Sequence, residues 1–337
     1  MLKPGTAIDG KWTNSHFTIE KKLGSGANGE VFLVRSAKGL AAMKVCPRSA
    51  DIALEWGLLD GPLKGNRILP KPILVDDAKA FKDQYFYLME WIPGLPLSEV
   101  LPTLKESGFV QVVHLLLTGL SELHGMGYAF CDMKPQNILV AVTPNVSVRF
   151  VDVGGVTPFG RSVRQFTPFY DRAFWNVGSR RAEASYDLCG LALALVLTFT
   201  PPSPQIAQLP PERRQAWLEK AVQSFPHPHY RTLAREVLEG KLTDVQDCLG
   251  RLAVLEKSGT QPRQSLWKGT SSKASKASKP TGQANPKAGA KTGFKGQRAV
   301  GSRRAKATDW TEWVMWLSLG TAATVTLAAW GTFLGWF

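Results

Sequence analysis

The decapeptide CDMKPQNILV at residues 131–140 decides how the rest of this sequence is interpreted. It places a carboxylate at Asp132, an ammonium group at Lys134 and a side-chain amide at Asn137 in one loop, just before a run of apolar residues. A carboxylate can orient a hydroxyl group and accept its proton, a lysine can neutralise an anionic group, and an amide oxygen can ligate a metal ion. This spacing, D-x-K-x-x-N, is the most specific chemical signal in the chain.

A glycine-rich run lies upstream of this loop, between two strand-like segments. A hairpin that covers phosphates needs glycines so that backbone amides can approach the ligand, and Lys44 on the next strand stands where a phosphate-binding lysine belongs. Glu55, in a helical segment, is the expected partner of Lys44. Alone, the run would be weak evidence and Lys44 an ordinary exposed strand lysine, but the order of the motifs makes both candidates for nucleotide binding. The run comprises Gly24, Ser25, Gly26, Ala27, Asn28, Gly29 and Val31.

Two further segments complete a nucleotide site. Residues 85–92, YFYLMEWI, are typical of a buried strand and look like the segment that joins the two lobes of kinases; this resemblance implies that the backbone from Glu90 to Ile92 hydrogen-bonds adenine. Asp152 follows an apolar strand and offers a second carboxylate, which together with Asn137 is expected to hold Mg²⁺ against the phosphates. The motifs therefore predict ATP and Mg²⁺ as cofactors of a phosphoryl transfer.

In this order the motifs resemble those of Hanks-type protein kinases, over residues 17–256. The resemblance implies an α+β, protein-kinase-like fold of two lobes with ATP between them, in which Asp132 is the catalytic base and Lys134 contacts the transferred phosphate. Lys134 also makes the loop similar to that of Ser/Thr kinases, so serine and threonine hydroxyls of protein substrates are the expected acceptors. By the same comparison Asp187 is the buried helix aspartate that braces the loop, and its alternative is an ordinary helix N-cap.

Three departures from that family pattern are visible. Phe130 and Cys131 stand where His and Arg are usual, so no arginine beside Asp132 can clamp a phosphate on the activation segment. Val153 replaces the usual Phe after the metal-binding aspartate, and no Ala-Pro-Glu motif is recognisable near Thr167. The sequence therefore leaves open how the activation segment is controlled and how a peptide docks.

The excess positive charge lies in one segment. The net charge is +14, and residues 257–307 contribute 13 basic and no acidic side chains. With so few apolar groups this linker is expected to be disordered. It could serve as a solvated spacer, as a clamp on an anionic membrane surface or as a DNA-binding arm. The candidate DNA-binding residues are Lys268, Lys273, Lys276, Lys279, Lys287, Lys291, Lys295, Arg298, Arg303 and Arg304.

The last 25 residues, 313–337, contain no charge. At about 1.5 Å per residue a helix of this length spans a hydrocarbon core of about 30 Å, and tryptophans flank both of its ends as they do at membrane interfaces. We therefore expect residues 308–337 to hold a single C-terminal transmembrane helix in the cell membrane, with the basic linker and the kinase domain in the cytoplasm. Gly331 and Gly335 form a GxxxG pair that permits close helix packing, so a homodimer is a candidate assembly.

Short matches narrow the resemblance. The segment LKPGT within the N-terminal extension (residues 1–16), the segments GANG, VDVGG and FYDR, and the terminal helix together resemble the membrane-anchored kinases of spore-forming Gram-positive bacteria. This resemblance implies stimulation by DNA bound to the linker and a role in sporulation. Two other hypotheses stay open at this point: a pseudokinase that acts as a membrane-bound nucleic-acid tether, and a kinase of the same fold that acts on small molecules.

Overall fold

The N-terminal part of the chain alternates apolar and polar residues along several short segments, which is why it folds as a sheet. The computed structural model describes residues 2–26, 29–80 and 84–258. The strands of this lobe are β1 (Ala7–Asp9), β2 (His16–Gly26), β3 (Gly29–Ser36), β4 (Gly39–Cys46), β5 (Pro72–Asp77) and β6 (Tyr85–Glu90). They form one antiparallel sheet in the order β1-β2-β3-β4-β6-β5, and the helix α1 (Ser49–Leu59) packs against it.

The side chains of β4 alternate between the two faces of this sheet. Met43 and Val45 pack in an outer core with residues of β2, β3 and β6, whereas Ala42 and Cys46 face the main core of the protein, which includes α1. Because Lys44 lies between Met43 and Val45, the period of two turns its side chain toward α1 as well. The alternation along β4 therefore places the side chain of Lys44 on the face that packs against α1.

The N-terminal segment closes the sheet on itself. Beyond β1, Gly10 pairs with Ala78, which follows β5, and the amide of Lys11 donates to Asp77 O (2.9 Å). Asp76 is buried and accepts hydrogen bonds from the amide of Trp12 (3.0 Å) and from both the amide (2.8 Å) and the hydroxyl of Thr13 (2.5 Å). A residue larger than glycine at position 10 would collide with the Asp76 carboxylate. The predicted extension is thus an integral part of the lobe.

The second lobe is mainly helical. Its helices are α2 (Leu97–Val100), α3 (Glu106–Gly125), α4 (Ala184–Phe199), α5 (Pro211–Ser224), α6 (Pro228–Leu238) and α7 (Val245–Ser258), and its short strands are β7 (Leu95–Pro96), β8 (Tyr128–Ala129), β9 (Ile138–Ala141), β10 (Ser147–Phe150) and β11 (Thr157–Pro158). The helix α4 buries twelve of its 16 residues, which fits a central position in a helical core. The predicted α+β fold of two lobes is confirmed.

Several predictions fall beyond this folded part. The helix α7 continues to Ser258, slightly past the predicted domain end at residue 256. The rest of the predicted basic linker, its DNA-binding candidates and the predicted transmembrane segment lie outside the described residues. Within residues 2–26, 29–80 and 84–258, no helix combines the length and the apolar character needed to cross a membrane.

Candidate active site

A buried aspartate holds the loop that carries Asp132. Asp187, in the first turn of α4, accepts hydrogen bonds from the amides of Phe130 (2.6 Å) and Cys131 (2.8 Å) and from His124 Nε2 (2.9 Å). Cys131 has φ 68°, in the left-handed region that non-glycine residues rarely adopt, so these bonds fix a strained turn directly before Asp132. Asp187 therefore braces the loop, and the N-cap position of α4 is occupied by Glu183.

Three side chains orient the carboxylate of Asp132, which is 2% exposed. Asn137 Nδ2 donates to Asp132 Oδ2 (3.0 Å) and also to the backbone carbonyl of Asp132 (3.1 Å). Lys134 Nζ lies 3.0 Å from Oδ2, and Thr167 Oγ1 donates to Oδ1 (2.8 Å). The sequence placed the first two in the site but missed Thr167, whose only local signal is a threonine before Pro-Phe-Tyr. A carboxylate fixed at both oxygens is positioned to receive a proton from a defined direction.

Lys44, on β4, forms a buried network with two carboxylates. Lys44 Nζ lies 2.7 Å from both oxygens of Glu55, on α1, and 2.8 Å from Asp152 Oδ1. Glu55 Oε2 also accepts a hydrogen bond from the hydroxyl of Tyr87 (2.8 Å), and the side chains of Lys44 and Glu55 are almost fully buried. The contact with Asp152 links residues 108 positions apart, so both lobes meet at this cation.

The charges in this network reinforce one another. Burial alone would lower the pKa of Lys44, but the carboxylates of Asp152 and Glu55 outweigh it and raise that pKa. Burial alone would likewise raise the pKa of Asp152, but Lys44 holds it below its usual value. Burial raises the pKa of Glu55 despite the opposing effect of Lys44. Lys44 therefore stays cationic and Asp152 anionic near neutral pH, as binding of a phosphate and a metal requires.

The backbone at Asp152 adopts a left-handed conformation that non-glycine residues rarely adopt. Asp152 has φ 67° and ψ 86°, and its Oδ1 accepts a hydrogen bond from the amide of Gly154 (3.3 Å). In the part of the chain that the structure describes, no group of three or more His, Cys, Asp or Glu side chains could hold a metal by itself. One carboxylate, Asp152, and one amide, Asn137, suit Mg²⁺, which is commonly held by one or two carboxylates together with substrate phosphates.

The glycine-rich run forms the hairpin between β2 and β3. Gly24 is paired with Val31, Ser25 with Glu30 and Gly26 with Gly29, while Val31 is in turn paired with Lys44 on β4. Gly29 has φ 154°, and a Cβ there would collide with the carbonyl oxygen of Val45. The hairpin therefore lies beside the lysine and depends on a glycine for its close approach. The predicted ligands Ala27 and Asn28 lie outside the described residues.

The segment expected to bind adenine is already partly hydrogen-bonded. The amide of Glu90 donates to Lys71 O (2.8 Å), and the side chain of Glu90 pairs with Arg149 (2.7 and 3.1 Å). Because this amide is engaged by Lys71, it is not available to adenine. Ile92, two residues on, is buried, and its contact with adenine stays a prediction.

Comparison with known proteins agrees with this geometry. The family described as protein kinase domain matches residues 17–236. The chain belongs to the protein kinase family. The serine/threonine-protein kinase YabT of Bacillus subtilis is 39% identical over 201 residues, which cover 58% of this kinase and 59% of YabT. Serine/threonine-protein kinase D of Synechocystis is 27% identical over 210 residues, covering 55% of this kinase and 40% of that protein.

The matched stretches thus span less than two thirds of either relative. Among solved structures, the structure of vaccinia related kinase 3 superposes with a TM-score of 0.58 at 15% identity, covering 77% of this kinase and 92% of that chain. At this identity the likeness concerns the fold alone.

The activation segment, residues 152–183, is attached without the usual arginine. The amide of Gly160 donates to Ala182 O (2.8 Å), the amide of Ala182 donates to Arg161 O (2.8 Å), and the amide of Val163 donates to Arg180 O (3.0 Å). Val163 and Ala182 also belong to a small apolar cluster around Cys131, the residue that replaces the kinase arginine. Backbone pairing and apolar contact thus hold this stretch of the kinase in place.

Ion pairs of different composition replace the missing Ala-Pro-Glu motif. The fully buried carboxylate of Asp171 accepts hydrogen bonds from Arg180 Nε (2.8 Å) and from the hydroxyl of Tyr186 (3.0 Å). Arg172, also buried, pairs with Glu183 (2.6 Å). These ion pairs and hydrogen bonds therefore connect residues within the stretch 171–186 to one another.

Two of the departures in sequence share the core of the kinase. Phe130 and Val153 are both buried, and the ring of Phe130 packs 4.8 Å from that of Phe150. Both substitutions therefore keep an apolar side chain in the main core of the kinase.

Proposed function

We propose that this kinase transfers the γ-phosphoryl group of ATP to serine and threonine hydroxyls of proteins. The observation that carries the proposal is the carboxylate of Asp132, buried and fixed by Asn137, Lys134 and Thr167. Such a group can orient an acceptor hydroxyl and take its proton as the new bond forms. A pseudokinase that has lost its chemistry would not be required to keep this arrangement.

Four other residues of the site would contact the phosphates of ATP or the metal ion. Lys134, beside Asp132, can neutralise charge on the transferred group, while Lys44 is fixed by Glu55 to hold the phosphates of ATP. Asn137 and Asp152 would hold Mg²⁺, which supplies positive charge to the phosphate oxygens when it is bound. The burial of Lys44 and Asp132 strengthens these electrostatic effects because water is excluded.

The test is a transfer assay with radiolabelled ATP and the full-length protein. We expect label on the kinase itself and on a serine- or threonine-containing protein substrate, dependent on Mg²⁺ and lost in Asp132→Asn. Absence of label with every acceptor, from a protein that still binds ATP, would refute the proposal.

We further propose that the kinase works at the cytoplasmic face of the cell membrane, anchored by residues 313–337. Twenty-five uncharged residues flanked by tryptophans support a transmembrane helix, and the basic linker before it supports this orientation. The GxxxG pair, Gly331 and Gly335, supports association of two such helices. Fractionation of cells that express the intact chain tests the anchor: recovery of the kinase in the soluble fraction would contradict it.

The basic linker, in this proposal, binds DNA and thereby stimulates the kinase. Thirteen basic residues without an acid favour a polyanion, and many phosphate contacts make such binding steeply dependent on salt. The resemblance to kinases of spore-forming bacteria supports action during sporulation, which spore counts from a deletion strain would test. Autophosphorylation with and without duplex DNA tests the stimulation, in the intact kinase and in a variant with the linker cations changed to glutamine. Equal activity in all four conditions would leave the linker as a membrane clamp.

A further inference from the structure

Beyond Asp152, which belongs to the catalytic site, the activation segment carries an excess of positive charge. Between residues 154 and 183 the sequence has five arginines and only two acids, Asp171 and Glu183. Asp171 is paired with Arg180, and Glu183 is paired with Arg172. Both acids are thus engaged in ion pairs within the activation segment.

Three arginines are left over. Arg161, Arg164 and Arg181 are exposed, and none of them has an ion-pair partner among the described residues. They are also close in space, because Ser162, next to Arg161, is paired across the chain with Arg181, and Ser162 is only two residues from Arg164. We name Arg161, Arg164 and Arg181 the arginine triad.

The arginine triad lies next to the catalytic aspartate. Arg164 is three residues before Thr167, whose hydroxyl donates to Asp132 Oδ1 at 2.8 Å, and three residues of chain span at most about 10 Å. Burial and the charge of Asp187 raise the pKa of the Cys131 thiol, and the positive charge of Arg164 opposes them, which places that charge near the residue before Asp132. A substrate hydroxyl that reaches Asp132 thus brings the residues within about three positions of it to the triad.

We propose that the arginine triad selects protein substrates that carry acidic residues within about three positions of the phosphorylated serine or threonine. This inference rests on the proposed kinase activity and specifies its substrates. Unpaired exposed arginines attract carboxylates and repel basic peptides, and a mismatch of charge sets specificity as strongly as a match does. The kinase's own linker, with 13 basic and no acidic residues between 257 and 307, is accordingly a poor acceptor.

The experiment compares three peptides that differ only around one serine. The flanking positions carry three Glu, three Gln or three Lys, and kcat/KM is measured for each with the full-length kinase at low salt. We expect the Glu peptide to exceed the Gln peptide by about tenfold, the effect of a few solvent-exposed ion pairs, and the Lys peptide to be the poorest. Because exposed charges are screened by salt, the ratio should fall as ionic strength rises.

Matched variants locate the effect. In the triple variant Arg161→Gln, Arg164→Gln and Arg181→Gln, the Glu-to-Gln ratio should fall close to one, whereas the same positions changed to Lys should keep most of it. The control removes three exposed cations elsewhere, Lys38→Gln, Lys79→Gln and Arg213→Gln, at equal net charge, and should keep the wild-type ratio.

The outcomes separate this inference from the proposed activity. If no peptide is phosphorylated and the kinase does not label itself, the proposed activity fails. If peptides are phosphorylated equally, or if the triad variant keeps the preference, the inference is wrong while the activity stands. If the triad variant loses stimulation by duplex DNA but keeps its peptide preference, the triad is a nucleic-acid contact and the inference is likewise overturned. Variants are compared only if their melting temperatures match the wild type.

Discussion

The hydroxyl of Thr167 should act by holding the catalytic aspartate. Its Oγ1 lies 2.8 Å from Asp132 Oδ1, and Asn137 and Lys134 occupy the other carboxylate oxygen. Thr167→Val keeps the shape of the side chain and removes only this donor. A hydrogen bond to a charged group contributes about 1.5–3 kcal/mol. If that energy is needed to orient the base in the transition state, kcat should fall by about ten- to a hundredfold.

The assay is peptide phosphorylation at saturating ATP, with the KM for ATP measured alongside. We expect kcat to fall while the KM for ATP stays within about twofold, because Thr167 is bonded to Asp132 and Lys44 is held by a separate set of carboxylates. Thr167→Ser restores the hydroxyl and should recover most of the rate. Equal rates for Thr167→Val and the wild type would refute the reasoning, as would a loss of the same size in Thr167→Ser with both variants folded.

Three further outcomes follow from the site, the terminal segment and the N-terminal lobe. Asp132→Asn or Lys44→Ala should lower the transfer rate by at least about 10² with the melting temperature little changed, and wild-type autophosphorylation in either would contradict the assigned roles. Removing residues 313–337 should release the kinase into the soluble fraction with its transfer rate intact, whereas continued pelleting with membranes in high salt would show a second attachment. Burial alone would raise the pKa of Asp76, but hydrogen bonds from Thr13 and Trp12 lower that pKa. The ionised carboxylate therefore stabilises the fold at pH values above its unfolded pKa of about 3.9. This stabilisation is lost as the pH falls through the lower pKa of the folded state. Asp76→Asn should therefore reduce the free energy of unfolding at pH 7, and the deficit should shrink in urea titrations below about pH 4; a deficit independent of pH would exclude a charged Asp76 as its cause.

The parts of the site that the sequence predicted are those with a fixed local spacing. Asp132, Lys134 and Asn137 fall within one loop, so their chemistry is visible in six letters. Lys44 and Glu55 lie eleven residues apart on a strand and the next helix, and the structure places them 2.7 Å apart. Short-range order of this kind is visible in the sequence because a single loop or two consecutive elements determine it.

Among the contacts between distant segments, the brace by Asp187 was predicted through the family resemblance, but others left no trace in the local sequence. The hydrogen bond from Thr167 joins residues 35 positions apart, and that from Thr13 to Asp76 joins residues 63 positions apart. Glu90 lies in the segment expected to meet adenine, yet its amide and its side chain are engaged by Lys71 and Arg149. Which partner a polar group finds is decided by the packing of whole elements, and the local sequence does not record it.

Closure of the N-terminal sheet has a mechanical consequence for the glycine-rich hairpin. The strand β2 is held on both sides at Thr18, which pairs with Ala7 of β1 and with Arg35 of β3, whereas Gly24 to Gly26 are paired with β3 alone. The register between β2 and β3 shifts twice on the way, between Ile19 and Lys21 and between Lys22 and Gly24, and such bulges are points where a strand bends. The hairpin is therefore held by two neighbouring strands near Thr18 and by one strand near its glycines. Its Gly24 to Gly26 end, paired on one side, is therefore freer to adjust to a bound nucleotide than the part of β2 that neighbouring strands hold on both sides.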